Sequence, residues 1–179
     1  RAAFPVRAEI LAGIETAPGG VAERPGGPVA AAGAVRLRGV LQHEQPVPLR
    51  EVVERVIIDL QSRAAEKRMT FANQLPEEWR ARADADRLQQ VVFNLIENAI
   101  KYGRGGGLVS IGARDHAPEQ IELWVSDDGP GIPPEAQERV FERFFRVDKA
   151  RSRETGGTGL GLAIVKHIIH GHGGKVWLK

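Results

Sequence analysis

The sequence contains no cysteine, a single Met and a single Tyr, and no apolar run long enough to cross a membrane. Without cysteine there is no disulfide framework, no thiolate metal site and no thiol nucleophile, which argues against redox chemistry and fits a reducing compartment. The first residues lack the basic start and apolar core of a signal peptide, so the chain reads as soluble and cytoplasmic, without direct membrane contact. Also missing is any block of Lys or Arg interleaved with aromatics. The 25 basic and 23 acidic residues nearly balance at +2, and nucleic acid gains no support as a partner.

What is present is 179 residues, enough for one domain with a core of its own. Of the first 40, 26 are Ala, Gly, Arg or Pro, and no period survives beyond "AEILAGI". Residues 1–45 are therefore expected to be irregular or disordered. GC-rich coding sequence read out of frame yields the same bias. The chain starts without Met and ends on "GGKVWLK", a strand just begun, so it is expected to be a piece of a longer protein, with a domain over 46–179 truncated at its C-terminus.

From Leu49 the pattern changes. Leu49, Val52, Val53, Val56, Ile57 and Leu60 recur on one helix face, predicting a helix over about 49–66. "MTFANQL" suits a short strand and "PEEWRARA" a loop or second strand. A long helix follows in "DADRLQQVVFNLIENAIKYG", capped near Asp84 or Asp86. "LVSIGAR" and "QIELWVSDDG" alternate as two strands joined through "DHAPE", with His116 in the loop. A turn at "GPGIPP", a short helix near "EAQERVF", a helix in "GGTGLGLAIVKHII" and a final strand complete the order. Strands interleaved with helices, two of them adjacent, predict an α/β sandwich: a mixed β-sheet covered on one face by helices.

Four stretches carry chemistry. On the helix around 87–102, Leu88, Val91, Val92, Leu95, Ile96 and Ala99 form the buried face, while Gln90, Asn94, Glu97, Asn98 and Lys101 line the opposite one. Asn has poor helix propensity, so two of them one turn apart suggest a ligand-lined groove as much as a solvated face. "VSDDGPGIP" ends a strand in two carboxylates and turns through glycines that let backbone approach a flat ligand, although an Asp-Gly turn alone accounts for it. "TGGTGLGLAIVK" is a Gly-rich lead into an apolar helix, an arrangement that aims backbone N–H groups at phosphates, but without the ending of a P-loop or the dinucleotide fingerprint. Between them "FERFFRVDKARSRE" sets Phe141, Phe144 and Phe145 among Arg143, Arg146, Lys149, Arg151 and Arg153, either a lid toward a polyanion or a solvated basic loop.

In this order the stretches resemble the catalytic ATP-binding domain of sensor histidine kinases, in the ATPase superfamily that includes gyrase B, the MutL repair proteins and a heat-shock chaperone. "NLIENAIKYG" resembles the N box, "DDGPGIP" the first glycine box, "FERFFRV" the F box and "GGTGLGLAIVKHI" the second glycine box. The resemblance implies a Bergerat-type ATP-binding fold with ATP and Mg2+ as cofactors. It implies that Asp127 accepts from the adenine amine, that Gly129 and Gly131 shape the adenine pocket, and that Asn98 is the magnesium ligand supported by Asn94. Lys101 and Tyr102 would reach phosphates or sugar and Arg146 the γ-phosphate. Gly157, Thr158, Gly159, Leu160 and Gly161 would close on the phosphates. Hydrolytic relatives place a Glu where Asn94 stands; an amide cannot act as that base, which favours transfer over hydrolysis. Glu97 matches an acidic position of these kinases and would either orient the acceptor imidazole or serve structure.

The partners implied are a histidine-bearing dimerisation hairpin and a response regulator. "HEQPVPL" matches the ends of the family's H box at His43, but Pro46 would break a helix there and no room remains for a hairpin before residue 49. No acceptor hairpin is recognisable. His167, His170 and His172 lack a further acid or thiol at ligand spacing and read as surface and helix-end histidines. The alternatives to a kinase are a nucleotide-binding or interaction module without catalysis, and a superfamily ATPase.

Overall fold

A computed structural model describes residues 6–11, 45–117, 120–147 and 157–178. His43, Lys149, Arg151 and Arg153 lie outside the described residues.

Strand β1 (Val6–Leu11) comes first, then β2 (Gln45–Pro48), helix α1 (Leu49–Glu66), β3 (Thr70–Asn73) and β4 (Arg80–Ala83). Helix α2 (Ala85–Tyr102), β5 (Leu108–Ala117), β6 (Gln120–Ser126), α3 (Gly161–Gly171) and β7 (Lys175–Leu178) follow. The apolar spacing of α1 does what it predicts: Leu49, Val52, Val53, Val56, Leu60 and Ala64 are buried. Its end is a Schellman turn, with Met69 N–H on the Ala64 carbonyl and Arg68 N–H on that of Ala65, both at 2.9 Å. α2 begins on Asp84, whose carboxylate accepts from the Arg87 N–H at 3.0 Å.

The main sheet runs β3-β5-β6-β1-β7, with β3 parallel to β5 and the other pairs antiparallel. β2 and β4 form a separate antiparallel pair. Val109, Ile111, Ile121, Leu123 and Val125 of the sheet share one buried core with the apolar faces of the three helices. This is the expected mixed sheet with helices on one face. On its other face the Trp124 ring lies over Gly112, where any Cβ would collide with it, and Arg114 pairs with the buried Glu122 at 2.8 Å.

Three expectations need correction. Residues 1–45 are not wholly irregular: β1 lies inside the sheet, paired with β6 from Val6↔Val125 to Leu11↔Gln120 and with β7 from Val6↔Leu178 to Glu9↔Lys175. "VRAEIL" was short and flanked by biased composition, and its partners are distant in sequence. β5 extends through His116, so that residue belongs to a strand. "EAQERVF" forms two 3-10 turns, Pro134–Ala136 and Arg139–Phe141, because only Ala136 and Val140 are buried there.

Candidate functional site

α2 is amphipathic in an unusual way. Its apolar face, Leu88 to Ile100, is buried, while Asn94, Glu97, Asn98, Lys101 and Tyr102 line a cavity of about 370 Å³, a size ordinary for small-molecule sites. The opposite wall comes from the loop after β6 and from the start of α3. Gly157, Thr158, Gly159, Leu160 and Gly161 line it, as do Asp127, Gly131 and Arg146. Of the residues that the resemblance assigns to the nucleotide site, Gly129 alone does not line the cavity. It acts one step behind, its N–H donating to Asp127 Oδ1 at 2.8 Å. A Cβ at Gly129 would stand 2.5 Å from that oxygen and 2.7 Å from the Tyr102 carbonyl, so glycine is what lets the Asp127 loop close onto the end of α2.

The cavity runs along α2 from its middle to its C-terminal end. At the middle, a Cβ added to Gly161 would be 3.1 Å from Asn94 Oδ1 and 3.5 Å from Asn98 Nδ2. The first turn of α3 therefore rests directly on the two amides. Asn94 is steadied by donating to the Gln90 carbonyl at 2.8 Å. The last turn of α2 is held from outside by Lys67, whose Nζ donates to the Ile100 and Lys101 carbonyls at 2.7 and 2.6 Å.

Charges are distributed unevenly. Burial pushes the Asp127 carboxyl above the usual carboxylate range; the Gly129 N–H opposes the shift and the neighbouring Asp128 charge adds to it. Arg146 Nε is buried and has no hydrogen-bond partner among the described residues, a guanidinium N–H suited to an anion. Lys101 Nζ lies 3.1 Å from Glu97 Oε2, and the other oxygen of Glu97 accepts from Arg63 of α1. Phe145 also lines the cavity, under the Arg139 guanidinium at 4.4 Å. Phe144 is 70 % exposed with φ +64°. Among the described residues no helix is long and apolar enough to cross a membrane.

Several residues of the site's frame had no sequence signal. Arg63 reads as one more polar position of α1. His172 looked like a helix-end histidine, yet its Nε2 accepts from the Asp84 N–H at 3.2 Å while Nδ1 lies 2.9 Å from the Ile168 carbonyl. That pairing fixes the tautomer with the proton on Nδ1 and ties the end of α3 to the start of α2. The apolar lining from Val125, Ile132, Val140 and Ile164 is indistinguishable from core in a sequence.

Comparison with known proteins agrees with this geometry. The sensor-like histidine kinase SenX3 of Mycobacterium tuberculosis is 55% identical over 106 residues, covering 58% of this chain and 26% of that protein. The chain thus spans about a quarter of the length of this curated relative. The mycobacterial sensor histidine kinase MprB superposes with a TM-score of 0.64 at 35% identity, over 73% of this chain and 81% of that one. The catalytic domain of histidine kinase ThkA gives 0.66 at 30%, over 76% and 86%; ThkA has also been solved in complex with the response regulator TrrA. Residues 83–179, which carry α2, the Asp127 loop and α3, match the family directly, and the chain belongs to the histidine kinase-, DNA gyrase B- and HSP90-like ATPases.

Proposed function

We propose that this chain is the ATP-binding catalytic domain of a two-component sensor histidine kinase. It would transfer the ATP γ-phosphoryl group to a histidine of a dimerisation hairpin, for relay to an aspartate of a response regulator. The observation that carries the reading is one cavity walled by the Asn94–Asn98 face of α2, the Asp127 loop and the glycine-rich start of α3.

The residues suit magnesium-bound ATP. Asp127 keeps a carboxylate oxygen for the adenine amine while the other is occupied by Gly129. Asn98 offers an amide oxygen, a hard donor that suits magnesium alongside phosphate oxygens. Gly161 lets the first turn of α3 sit directly on Asn94 and Asn98, and the Nε of Arg146, without a partner among the described residues, suits the γ-phosphate. Bound magnesium would supply charge neutralisation between the phosphates. The chain itself positions and neutralises: Lys101 and Arg146 contribute cations, and α3 presents its first turn to the phosphates. The bond from the γ-phosphorus to the bridging oxygen of ADP breaks as a phosphorus–nitrogen bond forms to the acceptor imidazole. Asn94, an amide, provides no base for water, which favours this transfer over hydrolysis.

A calorimetric titration with a non-hydrolysable magnesium ATP analogue, run beside Asp127→Ala, tests the pocket. Wild type should bind and the variant should lose ten- to hundredfold, the worth of a hydrogen bond of about 1–3 kcal/mol. Labelled phosphate appearing on a separately supplied hairpin tests the transfer; steady phosphate release by the chain alone would favour an ATPase instead, and binding without either a non-catalytic module.

A further inference from the structure

Glu97 is the acidic side chain on the cavity face of α2, and its two oxygens are divided between two cations. Oε1 accepts from Arg63 of α1, and Oε2 holds Lys101 one turn further along α2 at 3.1 Å. Arg63 is mostly in solvent, with its side chain 55% exposed, while Glu97 and Lys101 are 19% and 25% exposed. Glu97 and Lys101 both line the cavity; Arg63 does not. A carboxylate on the wall of a site meant for a triphosphate is unfavourable unless neutralised, because like charges a few ångström apart repel strongly where water is partly excluded.

Resting on the nucleotide-binding reading above, we propose that Glu97 is a positioning residue that serves as the exchangeable counter-ion of Lys101. With the cavity empty, Lys101 pairs with Glu97. When phosphates arrive, the flexible ammonium swings to them and Arg63 alone neutralises the carboxylate. The chemistry of the two cations fits this division. Lys is a mobile point charge on a four-carbon stem, able to change partners, whereas the planar Arg fork matches a carboxylate and suits a fixed tie. The tie comes from a different helix, so the position of α1 beside α2 sets how much of Glu97's charge the ligand meets.

The test is a set of equilibrium titrations of the intact chain with the magnesium ATP analogue, ADP, and adenosine as a phosphate-free competitor, with thermal melts of each variant. Arg63→Ala should weaken the ATP analogue about three- to tenfold, ADP less, and adenosine not at all. The loss should shrink at high salt, where exposed charges are screened. Arg63→Lys should restore much of the affinity. In an Arg63→Ala/Glu97→Gln double variant the loss should disappear, because no carboxylate remains to neutralise. A merely structural tie would lower the melting temperature of Arg63→Ala and leave the ratio of ATP analogue to adenosine affinity unchanged. That result, or an Arg63→Ala loss that persists in the Glu97→Gln background, overturns the exchange. If wild type binds no nucleotide at all, the functional reading falls, and the exchange with it.

Discussion

Asp127 meets two opposed demands. Under the proposed function a carboxylate is wanted in the cavity for the adenine amine, yet burial raises its pKa, so its charge makes folding less favourable at neutral pH. The sign follows from linkage: the folded state holds the proton more tightly than the unfolded state, so stability falls as pH rises from the unfolded pKa through the raised folded one, and the penalty is fully present above it. Asp127→Asn keeps an oxygen for the Gly129 N–H but removes the charge. Its melting temperature should exceed that of wild type at pH 7, and the gap should close on acidification through the folded pKa. Nucleotide affinity should drop at least tenfold, since an amide can set an N–H against the adenine amine. A variant that melts below wild type at pH 7 would count against the burial argument. Arg68 is a simpler case. It occupies the left-handed position after α1 with φ 55°, where glycine is free of the Cβ penalty. Arg68→Gly should relieve left-handed strain of about 1–2 kcal/mol against a backbone-entropy cost of about 0.5–1 kcal/mol, a net gain visible as a melting shift of roughly 1–4 °C. At this scale the sequence showed the residues of the cavity through their spacing and resemblance, but not Arg63, Lys67 or His172, whose partners lie 34, 33 and 88 positions away.

The helices differ in how openly they announce themselves. α3 stops at Gly173, φ 73°, with Gly173 and Gly174 donating back to His170 and Ile169, and "HGHGG" declares that stop in plain sequence. α1 makes the same turn through Arg68 with no glycine, so only the fading of its apolar period marks the end. α2 relies on outside help at its C-terminus, where Lys67 caps two carbonyls beside the cavity. Charged donors at helix C-termini favour the dipole as well as the orphan carbonyls. Lys67→Met should therefore destabilise by about 1–3 kcal/mol and raise amide exchange in the last turn of α2 before other helices. Unchanged exchange there would mean that Gly103, whose N–H reaches Ala99 at 2.8 Å, suffices as the stop. The helices were legible because each buries a stripe with a 3.6-residue period. The two 3-10 turns were not, since a single turn has too few residues to show a period.

At the scale of the whole molecule, the layers could be read from the alternation of elements, but the place of β1 could not. Strand order is decided by which edge offers unpaired backbone groups, and that is a property of the assembled sheet. β1 joins β6, which leads into Asp127, to β7, which follows α3. Ala8→Pro would remove an N–H from a strand paired on both sides, leaving a ladder carbonyl unpaired at a cost of about 1–3 kcal/mol. Hydrogen exchange should then rise in β6 and β7 together; a rise confined to β1 would mean that the two neighbours hold without it. The same placement bears on how the chain matures. β1 is made well before its partners, residues 120–125 and 175–178, so until they follow it waits as an unpaired strand with both edges open. Strands in that condition are where growing chains stick to one another, and a folding protein of this design is most vulnerable in the interval before Leu178 arrives to meet Val6.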